Sequence, residues 1–289
     1  MSLRRFLRLV AHASRILAHA SRTMLRSPRL SVRDLASLPQ RVRAARLTQL
    51  WNRIPVGRSD RADEPGRQEE AAPNPLRTYF DNVKEGPGVW KWLHYFELYH
   101  RHLSKFVGQP VTVVEVGVYS GGSMPMWRHY FGTGCQIHGV DIQPECKVYE
   151  DAHTTIHIGD QADREFWRRF QGVVPEVDVL IDDGGHQVEQ QMVTLEEMLP
   201  HLKAGGVYIC EDVHGIPNSF AEFVHSLADG LNAFVWTGDS EVLSARSTPF
   251  QDAISSVHLY PFMVVIEKRD TPRGGFATAK HGTEWQPFL

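Results

Sequence analysis

Only three cysteines occur in the 289 residues, Cys135, Cys146 and Cys210, and none forms a C-x-x-C pair. That argues against a zinc ribbon or a disulfide framework and makes a reducing compartment the expected setting. No apolar run approaches the roughly 20 residues of a membrane-spanning helix. The longest, around Val111–Val118 and Val257–Ile266, read as buried strands. Lysine is absent from residues 1–60, and acids there are limited to Asp34 and Asp60. The apolar fraction is 42%, with 22% charged and 10% aromatic residues. These values exclude a wholly disordered or collagen-like chain and allow one full-sized α/β domain with extensions.

The net charge of −3 conceals an asymmetry: residues 1–60 carry 13 arginines and a net +11, and the remainder carries −14. An acidic body lacks the broad basic face of a nucleic-acid enzyme, so no nucleic-acid partner is expected. Within the first 25 residues, Leu3, Phe6, Leu7, Val10, Ile16, Leu17, Met24 and Leu25 recur near helical spacing between arginines. This predicts a basic amphipathic helix with three open readings: peripheral contact with an anionic membrane, an organelle transit peptide, or packing on a partner subunit in a homo-oligomer. The expected location is cytoplasmic, with membrane-peripheral attachment or organelle import as alternatives. The expected organisation is a basic extension over 1–53, a polar Pro/Gly-bearing linker over 54–75, the main domain over 76–270 and a tail over 271–289.

Beyond the linker, helix and strand patterns alternate. Helices are expected at Val89–Phe106, from Ser123, at Asp163–Phe170, Val188–Leu202 (ended by Gly205-Gly206) and Ser219–Leu231. Strands are expected at Val111–Gly117, Gln136–Asp141, Thr155–Ile158, Val177–Asp183 and Val207–Glu211. This alternation implies a parallel sheet covered on both faces. Ile254–Leu259 and Phe262–Glu267 are joined too closely for a crossover and must form an antiparallel hairpin.

The first strand runs into Glu115-Val116-Gly117-Val118-Tyr119-Ser120-Gly121-Gly122. Its glycines suit a sharp turn and close approach to a ligand, but the spacing is not the G-x-G-x-x-G of a dinucleotide cradle. Glu115 at the strand end suits a cationic ligand rather than a diphosphate. Asp141, closing the second strand, is placed to accept from ribose hydroxyls. Asp160 and Gln161, after the third strand, are placed near an adenine edge. Together these features resemble the class I S-adenosylmethionine-dependent methyltransferases. The resemblance implies a Rossmann-like, mostly parallel seven-stranded sheet with a C-terminal antiparallel hairpin. It implies S-adenosylmethionine as cofactor, with Glu115, Gly117, Ser120, Gly121, Asp141, Asp160, Gln161 and Asp182 around it.

In that strand order the ends Asp182-Asp183-Gly184-Gly185-His186 and Glu211-Asp212 are neighbours, about 4.8 Å apart. Carboxylates so clustered repel unless a cation sits among them, and a hard, oxygen-preferring Mg²⁺ suits the set. His186 lies just before a helix, whose positive end favours the neutral imidazole of a general base. This constellation resembles the metal-dependent macrolide-sugar O-methyltransferases of the macrocin and mycinamicin type. The resemblance spans about Tyr79–Lys268 and implies Asp183, Glu211 and Asp212 as Mg²⁺ ligands with His186 as catalytic base. The acceptor it implies is a hydroxyl of a glycosylated or polyhydroxylated small molecule. A cephalosporin-hydroxylase-like relative and a nicotinamide-dependent oxidoreductase are the alternatives. The aromatics Trp90, Trp92, Tyr95, Phe96 and Tyr99 are expected to pack in the core or a lid, with one or two reaching ligand.

Overall fold

A computed structural model describes residues 42–49, 74–233, 235–236, 244–279 and 281–282. The amphipathic pattern of the first 25 residues, and with it the membrane, transit-peptide and subunit-packing readings, lies outside the described residues, as does the linker up to residue 73. Two compact units divide the chain, residues 1–69 and 70–289. In the first, residues 42–49 form an exposed helical segment in which Thr48 Oγ1 donates to the Ala44 carbonyl at 3.1 Å. No helix among the described residues is long and apolar enough to cross a membrane.

The second unit opens with helix α1 (Pro75–Asn82). Asn74 caps it by accepting from the amides of Leu76 and Arg77, and Pro75 supplies a pre-set first turn. The Asn74 amide also donates to the Phe96 carbonyl at 2.7 Å, fastening α1 to helix α2 (Tyr95–Leu103). Then follow β1 (Thr112–Val116), α3 (Ser123–Phe131), β2 (Gln136–Asp141), β3 (Thr154–Ile158), α4 (Arg164–Val173), β4 (Val177–Asp182), α5 (Val188–Met198), β5 (Leu202–Val213) and α6 (Ser219–Ala228). The remainder comprises β6 (Val235–Trp236), β7 (Ser244–Arg246), α7 (Pro249–Ala253), β8 (Ile254–Tyr260), β9 (Phe262–Lys268) and β10 (Phe276–Ala277).

Seven strands form one sheet in the order β3-β2-β1-β4-β5-β9-β8, and β10-β7-β6 form a small second sheet. The first five strands are parallel and β9 is antiparallel to both β5 and β8. This is the expected class I methyltransferase sheet with its closing hairpin. Parallel strands buried on both faces must be continuously apolar. Val113, Val114 and Val116 of β1 and Val179, Leu180 and Ile181 of β4 accordingly sit in two cores, one on each face. Trp127 of α3 anchors one core and Trp167 of α4 the other, both fully buried. Burial of large side chains of this kind contributes about 1.5–3 kcal/mol each before entropy is counted.

Element bounds depart from expectation in two places that bear on the site. The expected helix from Val89 begins only at Tyr95, and residues 87–92, without regular secondary structure, form a strap beside the strand ends. Gly205-Gly206 does not end α5, which stops at Met198; both glycines lie inside the long strand β5.

Candidate active site

All five parallel strands point their carboxyl ends at one side of the sheet, and β1 and β4 lie side by side with Val116 opposite Asp182. The loops beyond them, with the strap, enclose a cavity of about 1230 Å³. The turn after β1 needs glycine. Gly117 holds φ +90°, and a Cβ there would stand 2.0 Å from the Asp183 carbonyl oxygen. Gly121 holds φ +73°, with the Tyr149 ring 2.5 Å from where its Cβ would be. Both are therefore restricted to glycine by left-handed backbone and by close packing.

Asp141 fastens this loop. Its Oδ2 accepts from the amides of Val118 and Tyr119 at 2.9 and 3.1 Å, and its Oδ1 from the Gln143 amide at 2.9 Å. Gly117, Ser120, Asp141, Asp160 and Gln161 all line the cavity. Gln161 is buried and braces the turn after β4. Its amide nitrogen lies 3.0 Å from Asp182 Oδ1 and its oxygen accepts from the Gly185 amide at 2.7 Å. Asp182 lies behind the cavity wall, bonded also by the Tyr208 hydroxyl at 3.4 Å. Burial pushes its carboxyl up to about 7. Glu115 is likewise fully buried, accepting from Trp127 Nε1 at 3.0 Å.

The residue that sequence reasoning missed is Lys91. Its ammonium is buried among three carboxylates, 2.5 Å from Asp183 Oδ2, 3.3 Å from Glu115 Oε1 and 3.2 Å from both oxygens of Glu211. Burial opposes its charge, but Glu211, Asp183 and Glu115 overcome that and hold the ammonium well above the ordinary lysine value. One lysine cannot neutralise three acids. Burial, and then the neighbouring Asp183, raise Glu211 well above the usual carboxylate range. Glu211 Oε1 also accepts from the Tyr99 hydroxyl at 2.5 Å. The signal in the sequence was a single lysine between two tryptophans in an aromatic stretch.

Asp212 faces the other way from Glu211. Its Oδ1 accepts from Trp92 Nε1 at 2.9 Å and lies 3.1 Å from the Tyr95 hydroxyl. Its Oδ2 stands 3.5 Å from His186 Nε2, which is 4.0 Å from Asp183 Oδ1. Both His186 and Asp212 hold φ 55°, a left-handed backbone that ordinary residues rarely adopt. Strain of this kind, on the order of 1–3 kcal/mol per residue, collects where geometry serves function. One donor atom from each of Asp183, His186 and Asp212 lies within 4.8 Å of the others, so the three form a candidate cation site. The two carboxylates are the oxygen donors that Mg²⁺ prefers. The expected base therefore meets two of the three expected ligands, while Glu211 lies behind them in the Lys91 bridge. His214, which no motif singled out, lines the same cavity.

Residues 114–213 match the family described as Methyltransferase domain. The mycinamicin VI 2''-O-methyltransferase of Micromonospora griseorubida is 37% identical over 65% of this chain and 51% of its own length. An O-methyltransferase of Streptomyces olivaceus, acting at the 3' position of 8-demethyl-8-(2-methoxy-alpha-L-rhamnosyl)-tetracenomycin C, is 31% identical over 65% of this chain and 52% of its own. The chain spans about half the length of these curated relatives. The MycE methyltransferase of the mycinamycin pathway, solved with Mg and SAH, superposes with a TM-score of 0.56 at 25% identity, covering 70% of this chain and 55% of that one. By sheet order, by the sequence of residues 114–213 and by these relatives, the chain carries a class I methyltransferase domain resembling the macrolide-sugar O-methyltransferases.

Proposed function

We propose that the protein transfers a methyl group from S-adenosylmethionine to a hydroxyl of a glycosylated or polyhydroxylated small molecule, assisted by Mg²⁺. The observation that carries this reading is the convergence of His186 with Asp183 and Asp212 at the mouth of the glycine-loop cavity. The relatives named above methylate sugar hydroxyls of natural products, and the MycE structure holds Mg and SAH.

The electrostatics support both cofactors. Glu115, Asp183 and Glu211 surround one buried lysine and Asp212 stands close by, and a negative surplus favours a sulfonium and a divalent cation alike. Gly117, Ser120 and Asp141 would form the cofactor's floor, with Asp160 and Gln161 toward the adenine, Gly121 supplying the turn behind them and Glu115 and Asp182 buttressing the wall. Asp183 and Asp212 would hold the cation, with Glu211 adjoining through Lys91. Bound S-adenosylmethionine supplies an electrophilic methyl, and bound Mg²⁺ supplies the charge that eases ionisation of the acceptor hydroxyl. His186 Nε2 takes the acceptor's proton. Asp212, 3.5 Å from that nitrogen, would stabilise the imidazolium that forms, and Trp92 and Tyr95 orient Asp212. The enclosing strap limits water and holds the reacting groups in register.

The direct test is incubation of the full chain with methyl-labelled S-adenosylmethionine, Mg²⁺ and a panel of glycosylated natural products and their aglycones. Label is expected in the glycosylated acceptors alone, to cease in EDTA and to return with excess Mg²⁺. Label independent of Mg²⁺ would remove the cation from the proposal. Absence of label, together with protection from thermal unfolding by NAD but not by SAH, would replace it with an oxidoreductase.

A further inference from the structure

A second constellation lies outside the cavity, where helix α2 packs on the terminal hairpin. Ser256, His258 and Tyr260 alternate along β8 and therefore share one face of that strand. Ser256 pairs in register with Glu267 of β9. His102, near the end of α2, covers them and is 4% exposed. Its Nδ1 stands 2.8 Å from Glu267 Oε1 and its Nε2 2.9 Å from the Tyr260 hydroxyl. The His102 and His258 rings lie 4.6 Å apart. His258 Nε2 is 4.0 Å from Glu267 Oε2 and 2.8 Å from Ser256 Oγ. Among the described residues only this trio and the one at the cavity bring three such donors within 4.8 Å.

We propose that His102, His258 and Glu267 form a binding site for a transition-metal dication of the zinc type, which clamps the edge hairpin to α2. Two imidazoles and one carboxylate are the donor set zinc accepts in proteins, and a nitrogen-rich set selects against Mg²⁺. The fourth position is open to water. His102 shows how the cation enters. Its Nδ1 and the Glu267 oxygen are both lone-pair atoms at 2.8 Å, so something positive must lie between them. A proton does so in the metal-free protein. In the tautomer whose Nε2–H donates to Tyr260, a metal ion takes the proton's place. That Tyr260 contact is the partner that fixes ring orientation in metal sites.

The surrounding charges permit this. Two cations lie nearby, and each has a partner of its own. Lys105 donates to the Gly205 carbonyl at 2.8 Å, and Arg101 pairs with Glu97 at 2.7 Å while its guanidinium lies 5.9 Å from the Tyr260 ring centre. The clamp would bear on the active site through one helix. Tyr95, Tyr99 and His102 follow at spacings of four and three and so share a face of α2. The first two bond Asp212 and Glu211.

Cobalt titration of the full chain tests the site, because Co²⁺ in a four-coordinate nitrogen–oxygen site absorbs visibly. The titration is made on Asp183→Asn/Asp212→Asn protein, so that the cavity trio cannot contribute. One equivalent of Co²⁺ is expected to bind with visible bands, to be displaced by Zn²⁺ and not by Mg²⁺, and Zn²⁺ is expected to raise Tm. His258→Ala and Glu267→Gln, each introduced separately, are expected to weaken Co²⁺ binding at least tenfold while keeping the metal-free Tm within a few degrees. Binding that survives both substitutions would assign the ion to other histidines and overturn the site, as would an absence of visible bands in the parent protein. His102 is left intact because its burial makes its removal a test of folding instead.

Discussion

His186 Nε2 stands 3.5 Å from Asp212 Oδ2, and the two residues, from different strand ends, share a left-handed backbone at φ 55°. Histidine and aspartate enter this region more readily than most residues, and each is held there by its turn. The turn after β4 is braced by Gln161, and Asp212 sits where pairing of β5 with β9 shifts register between Cys210 and Val213. The result is an imidazole aimed at a carboxylate without a direct hydrogen bond, leaving the ring free to accept a proton. His186→Ala is therefore expected to slow methyl transfer by about 10²–10⁴-fold, the usual cost of a lost general base. SAH affinity should be unchanged, because the ring does not brace the glycine loop. Single-turnover kinetics and calorimetric titration separate the two. Near-normal turnover would return His186 to a structural role.

Lys91 and its three carboxylates make a second prediction. Removing one partner of a buried ion pair leaves uncompensated charge, which costs about 3–5 kcal/mol. Lys91→Met retains most of the volume and removes the ammonium. It is expected to lower stability by about that amount in urea unfolding without divalent ions. Simultaneous Glu211→Gln should restore part of the loss, since one of three acids is then neutral. A loss below about 1 kcal/mol, the range of exposed pairs, would mean that the bridge is not formed in solution.

These two residues mark how far the sequence could be read. The β1 and β4 ends were legible because apolar runs stop at glycines and acids, and strand order then sets His186 beside Asp212. Lys91 was not, because its partners lie 24, 92 and 120 positions away and a lone lysine normally reads as solvated. The helix expected from Val89 failed for the same reason. The strap is held out of the helix where Lys91 reaches the acids and Trp92 reaches Asp212, tertiary bonds that override an apolar helical periodicity. Glu211 and Asp212 looked alike as neighbours. Asp212 leaves the regular strand at φ 55°, where β5 shifts register against β9, so Glu211 meets Tyr99 and Lys91 while Asp212 meets His186. The His102 constellation joins a helix to a hairpin more than 150 residues later and has no local motif.

Asp141 supports a third prediction, on cofactor affinity. Its Oδ2 accepts from two backbone amides of the glycine loop and its Oδ1 from a third in the turn after β2, so its contribution is to loop geometry as well as to any ribose contact. Hydrogen bonds to a charged group contribute about 1.5–3 kcal/mol each. Asp141→Ala is expected to weaken SAH binding at least tenfold, about 1.4 kcal/mol, by calorimetric titration. Asp141→Asn keeps oxygen acceptors for part of this set and should fall between. Equal affinity in all three proteins would remove Asp141 from the cofactor site.

The fourth prediction concerns acid stability, far from the catalytic groups. His138 of β2 and His157 of β3 face each other, with Nδ1 and Nε2 3.1 Å apart and Phe170 against the second ring. Burial, then the charge of His138 and of Lys147, lower His157 to about 4, with Glu150 opposing, and burial lowers His138 as well. The unfolded chain takes up a proton on His157 near pH 6.5, while the folded one resists until about 4. Stability from this group is thus complete above about pH 6.5 and lost as pH falls toward 4. A shift of one unit corresponds to about 1.4 kcal/mol, and partial exposure brings the total to about 1–2 kcal/mol. His157→Gln retains a hydrogen-bonding partner for His138 and cannot titrate. Urea unfolding at pH 7.5 and pH 5 should therefore show a smaller acid-induced loss in the variant than in the parent, by about 1 kcal/mol. Equal losses in the two proteins would mean that His157 takes up its proton alike in the folded and unfolded chains, and that burial does not hold the pair neutral.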